Sequence, residues 1–214
     1  MIPWIPGLRR SVQSEERLWC ISWNPVIWML GACLLSIGCT YSTHPIFTKD
    51  DLRFDEKLSG SWKTKDIPGI GRLDVSRSTP TSDSYQVRFF DQNESQETGL
   101  AEGFLCEFEK KRFITLKFES KPEEKLPLKI AYLTFLIDQQ EDNYLKVRYL
   151  NHDRIMKHLK SHPESLKHEL NTQKQPPTKP DVVITAETAE FRAFVQSVLE
   201  KADFWVPMEL KKSK

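Results

Sequence analysis

Seven segments of alternating apolar and polar residues follow one another between Leu58 and Leu150, with no helical pattern between them. Side chains of an extended strand point to opposite faces with a period of two, so each segment presents one apolar face. The segments are Leu58–Lys63, Gly69–Val75, Ser84–Phe90, Gly99–Glu109, Arg112–Glu119, Leu126–Asp138 and Asn143–Leu150. Tyr85, Val87 and Phe89 share one face, as do Phe104, Cys106 and Phe108; Ile114, Leu116 and Phe118; and Leu145, Val147 and Tyr149. Turn formers fill Ser76–Asp83 and Asp91–Glu97, and Lys110-Lys111 marks a tight hairpin. Strands in succession without crossover helices pair antiparallel. The chain is therefore expected to be mainly β with some α, an antiparallel barrel or a strongly curved sheet.

The period changes after Leu150. Asp153–Lys160 and Pro163–Leu170 predict two short helices, with Pro163 suited to a first helical turn. Asn171–Pro180 reads as a polar loop and Val182–Ala186 as a short strand. Over Glu187–Lys201, Phe191, Phe194, Val195, Val198 and Ala202 recur at helical spacing, while Arg192, Gln196 and Glu200 point to water. Glu187 and Glu190 stand near its start, where the helix dipole favours negative charge. A helix with one apolar face needs a surface to cover. It is expected on the outside of the barrel or across one end.

The N-terminal region has a different character. Arg9, Arg10 and Arg17 precede an uncharged stretch from Leu18 to Thr43, densest in apolar residues from Val26 to Gly38. That dense part matches the roughly 7–15 apolar residues of an export signal better than the about 20 of a spanning helix. It closes on Leu35-Ser36-Ile37-Gly38-Cys39, small residues leading into a cysteine. This ending resembles the lipobox of bacterial lipoproteins, with Gly38 and Cys39 matching and Leu35 one position further out than usual. The resemblance implies cleavage before Cys39 and acylation of that residue. Leu30-Gly31-Ala32-Cys33 is a second candidate with a shorter apolar run before it, and an uncleaved anchor over Leu18–Thr43 is the alternative to cleavage. The division expected is a signal over 1–38, with a possible mis-assigned start, a lipidated polar tether over 39–50 and a single β-rich domain over 51–214.

Gly60-Ser61-Trp62 opens the first body strand with the pattern Gly-x-Trp. It resembles the first-strand motif of lipocalins and related calycin barrels. There the tryptophan seals one end of a barrel whose other end admits an apolar ligand. Body size, up to eight strands and a late helix fit that resemblance; the family's Thr-Asp-Tyr motif is missing.

Motifs of catalysis are sparse. The chain has 31 basic and 30 acidic residues, so nothing predicts the concentrated positive field that nucleic acid requires. Cys106 stands alone in the body and reads as a small buried hydrophobe. No Gly-x-Ser-x-Gly elbow or phosphate-binding glycine loop is present, and no cofactor is implied. His152, His158, His162 and His168 fall in one short region; His158 and His162 share a helix face, with Asp153 or Glu164 as a conceivable third metal ligand. Lys157, Lys160 and Lys167 interleave them and repel a cation. The leading expectation is an exported envelope lipoprotein, anchored through Cys39 on the periplasmic or outer side. Its β domain would bind an apolar small molecule or an envelope protein without catalysis. The alternatives are an exported metal-dependent or acid/base enzyme using the His152–His168 region, and a purely structural lipoprotein.

Overall fold

The computed structural model describes residues 40–119, 130–171 and 181–213. Cys33, Cys39 and the signal segment lie outside them. Two short strands come first, β1 (Thr40–Ser42) and β2 (Leu52–Arg53). The wall follows: β3 (Gly60–Lys63), β4 (Arg72–Arg77), β5 (Ser84–Phe90), β6 (Glu97–Phe108), β7 (Lys111–Glu119), β8 (Ile130–Gln140) and β9 (Tyr144–Leu150). Helix α1 (His152–Ser161), strands β10 (His168–Asn171) and β11 (Asp181–Ile184), helix α2 (Thr188–Val198) and strand β12 (Trp205–Lys212) complete the order.

Strands β3 to β9 pair with their neighbours antiparallel, and β12 closes the ring by pairing antiparallel with both β9 and β3. The result is a closed eight-stranded antiparallel barrel. Each expected strand segment from Leu58 to Leu150 is present, with the earliest residues of Leu126–Asp138 outside the described set. The hairpin between β6 and β7 turns on Glu109 and Lys110, one residue earlier than expected. Both have φ near 50–60° (51° and 58°), the left-handed pair that a two-residue turn between twisted strands requires. Gly60 has φ 132°, a backbone conformation that residues with a Cβ rarely adopt, which favours glycine as the first residue of Gly60-Ser61-Trp62.

Two cores result. Trp62, Leu73, Val87, Leu116, Val147 and Leu210 belong to the one inside the barrel. The second lies between the outer barrel face and the helices, where Phe113, Leu136 and Leu150 meet Ile155, Leu159 and the α2 stripe of Phe191, Phe194, Val195 and Val198. Expectation and structure agree on the stripe and on the outside placement of α2. Phe104, Cys106 and Phe108 do share a face, but Cys106 and Phe108 pack in the outer core, while Ala101 and Leu105 point inward.

Four expectations are corrected. Residues 40–50 are not a free polar tether: β1 pairs parallel with β11 and antiparallel with β8, and Ile46 is wholly buried. Pro163–Leu170 is not a helix. After a single 3-10 turn over Pro163–Ser165 the chain extends into β10, which pairs antiparallel with β11. That ladder satisfies backbone groups that a short, isolated second helix would leave marginal. Helix α2 stops at Val198, leaving Ala202 exposed in a following 3-10 turn. Arg192 does not simply face water; its guanidinium donates to the Ile46 carbonyl and to the Asp51 carboxylate.

Candidate functional site

The barrel interior is not completely filled. A cavity of about 110 Å³ lies among Trp62, Leu73, Val87, Leu116, Leu133 and Leu210. Its lining is apolar, and the polar atoms of its two amphipathic side chains are already engaged. Trp62 Nε1 donates to the Leu58 carbonyl at 2.8 Å. The Tyr85 hydroxyl accepts from the Asp55 N–H at 2.7 Å and donates to the Asp55 carbonyl at 3.1 Å. Burial pushes the Tyr85 phenol up to about 12, so it stays neutral. A cavity with no free polar partner for water stays dry and accepts an apolar group of matching shape.

The segment before β3 plugs the barrel beside Trp62, with Leu58 in its core. Burial opposes charge on Asp55, but hydrogen bonds from the Lys57 N–H, Arg112 and Gln140 outweigh it and hold the carboxyl below the usual range. Arg112 Nη2 lies 2.7 Å from Asp55 and Gln140 Nε2 3.1 Å, so the plug is latched to β7 and β8 at once. Lys212 Nζ sits 5.2 Å above the Trp62 ring.

The wall parts between β8 and β9. Their ladder runs from Gln140–Leu145 only as far as Phe135–Tyr149, and further along β8 Tyr132 pairs with Ser42 of β1 instead. A cleft of about 100 Å³ occupies this parting. Ile67, Leu133, Phe135 and Met208 line both spaces, so cleft and interior adjoin through shared walls. Beyond the end of β3, the Asp66 carboxylate takes the Glu209 N–H of β12 at 2.8 Å and replaces a missing strand partner. The cleft is more polar than the interior, with Thr40, Ser42, Asp66 and Tyr132 in its lining. No family model, curated protein or solved structure matches this chain.

Of these residues, Trp62 was expected to be buried, and it is, at 1% exposure in the barrel core. Met208 and Leu210 were missed, although they alternate with Glu209 and Lys211; Pro207 and the preceding helix mask the pattern. The cleft residues of β1 were missed because three polar residues in a row carry no periodicity.

The histidines do not assemble into a site. The rings of His158 and His162 stack at 5.1 Å, as their spacing predicts. His152 is buried, however, and His168 Nδ1 is 2.8 Å from the Leu166 carbonyl. Among the described residues no three His, Cys, Asp or Glu side chains are placed to hold a metal ion. His158 packs against Phe194 and Phe204 and lies 3.1 Å from Ser165 Oγ. Burial, then the charges of His162, Lys201 and Arg154, lower its pKa below the ordinary histidine value. The unfolded chain therefore takes up this proton more readily than the folded one. Stability contributed here is intact above about pH 6.5 and declines as pH falls toward the lowered folded value. His158→Gln should make the urea midpoint fall less than the parent's between about pH 7 and about pH 5. An equal or steeper fall in the variant would contradict this assignment. Cys106 is chemically quiet by the same reasoning, its thiol pushed up to about 12 by burial.

Proposed function

We propose that this chain is a bacterial envelope lipoprotein, anchored through Cys39, whose barrel holds an apolar ligand without catalysing a reaction. One observation carries the reading: the apolar interior adjoins a cleft lined by Thr40. Thr40 is bonded to Cys39, and consecutive Cα atoms lie about 3.8 Å apart. Since β1 pairs with β8 of the barrel wall, an anchor at Cys39 would join the fold without a free tether between. Acyl chains on Cys39, each methylene contributing about 0.8 kcal/mol on burial, would hold the parting in the wall against the bilayer. A lipid chain leaving the membrane there meets apolar wall at once.

Two measurements test the two halves. Cys39→Ser should leave an unprocessed precursor and abolish labelling by radioactive palmitate. Labelling that persists, and is lost on changing Cys33, would move the anchor. For the ligand, an ω-brominated undecane should quench Trp62 in the full chain held in amphipol, and Trp62→Phe should remove the quenched component. Failure to quench Trp62 would overturn ligand binding and favour the purely structural lipoprotein.

A further inference from the structure

Two hydroxyls in the cleft lack partners. Ser42 is only 2% exposed, and neither its Oγ nor the buried Thr40 Oγ1 has a hydrogen-bond partner. Both residues line the cleft. A buried hydroxyl without a partner costs free energy, and an alanine or valine would have avoided it. Strand β1 does not need them for pairing, because its ladders with β8 and β11 use backbone groups. Both oxygens are shut off from solvent in this arrangement, so a group entering the cleft meets them only when the two side chains turn toward it.

The charge at the site restricts what that is. Asp66 is the one carboxylate among the described residues that line the cleft, and no lysine or arginine is among them. A carboxylate or phosphate placed against Ser42 would lose its hydration, meet the Asp66 charge and find no unpaired cation in the described lining, since Lys117, opposite Tyr132 in the ladder, is already held by Glu119 and Glu102. A neutral acceptor loses far less and satisfies both donors. Meanwhile Leu133 and Phe135, shared with the interior, give an attached chain a route inward.

We infer that Ser42 and Thr40 form a head-group subsite for a neutral acyl ester, their hydroxyls donating to the ester carbonyl while the alkyl chain lies in the barrel. This rests on the ligand-binding reading above and specifies its ligand. An acylglycerol has this chemistry; a free fatty acid at neutral pH does not.

The test compares three ω-brominated ligands of equal chain length, the methyl ester, the free carboxylate and the plain alkane, by quenching of Trp62 in the full chain in amphipol. The ester should bind at least about tenfold tighter than either of the others, the order expected for two hydrogen bonds of ordinary strength. Ser42→Ala and Thr40→Val should each weaken the ester about fivefold and leave the alkane unchanged. Neither should lower the Tm of the free protein, since each removes an unpartnered hydroxyl; this separates a ligand contact from a structural role. Equal affinity for ester and alkane, or a preference for the carboxylate, would overturn the subsite while leaving the apolar interior in place. Quenching by none of the three would remove the ligand-binding reading as well.

Discussion

Trp62→Ala is expected to destabilise the protein by about 3–5 kcal/mol, the range for deleting a large buried aromatic side chain. The indole is 1% exposed and lies in the barrel core beside Leu73 and Leu210. Its loss would extend an interior cavity that is already about 110 Å³, with little nearby to collapse into the gap. It would also orphan the Leu58 carbonyl that Nε1 now satisfies and remove the ring beneath the Lys212 ammonium. For a domain of this size the Tm should fall by on the order of 10 °C, and single domains have only about 5–15 kcal/mol to lose. Urea unfolding followed by circular dichroism measures it. A variant melting within a degree or two of the parent would mean that Trp62 does not seal this end. Trp62→Phe, which keeps most of the volume, should cost less than half as much.

Ending the chain at Ala186 should have the larger effect and abolish cooperative folding. The deletion removes α2 and so uncovers the outer core, where Phe113, Leu136 and Leu150 pack against Phe191 and Phe194. It also removes β12, whose ladder with β9 runs from Trp205–Leu150 to Lys211–Tyr144 and whose end reaches β3. Without it β9 and β3 become free edges, which are templates for pairing with other chains. The fragment should aggregate and bind a hydrophobic dye. A stop after Phe204 separates the two causes: it keeps α2 and the buried Phe204 and deletes only the closing strand. If the open barrel alone is sufficient, that longer fragment should aggregate as well. A soluble, cooperatively unfolding fragment ending at Ala186 would show that neither α2 nor β12 is integral to the domain.

The two deletions mark where sequence pattern and three-dimensional structure part company. Helix α2 was readable because its hydrogen bonds run from each residue to the one four before it, and its apolar stripe is a local periodicity. The seven strand segments from Leu58 to Leu150 were readable for the same kind of reason. Alternation states which side chains share a face, and the turns between Arg77 and Ser84 or Phe90 and Glu97 are rich in turn formers. A barrel was among the expected outcomes, but the strand that closes it was not readable. Lys212 meets Trp62 from the far end of the chain, and alternation names a strand's faces without naming its neighbours.

The candidate site divides along the same line. Its inner wall was legible: Tyr85, Val87 and Phe89, like Leu145 and Val147, were grouped on one face by their spacing, and all lie in the inner core. Cys106 and Phe108 were grouped as accurately, yet they face the helices, because both sides of β6 are covered and period two does not say which side is inside. Thr40, Ser42 and His168–Asn171 have polar sequences that look like tether or helix. They become strands only because β8 and β11 offer backbone partners there. What the sequence determined by itself was what has its reason within a few residues: which side chains share a strand face, where the main turns fall and the α2 stripe. The tertiary structure alone decided what depends on hydrogen bonds to distant segments. Those are the closing strand, the parting between β8 and β9, and the two buried hydroxyls beside it.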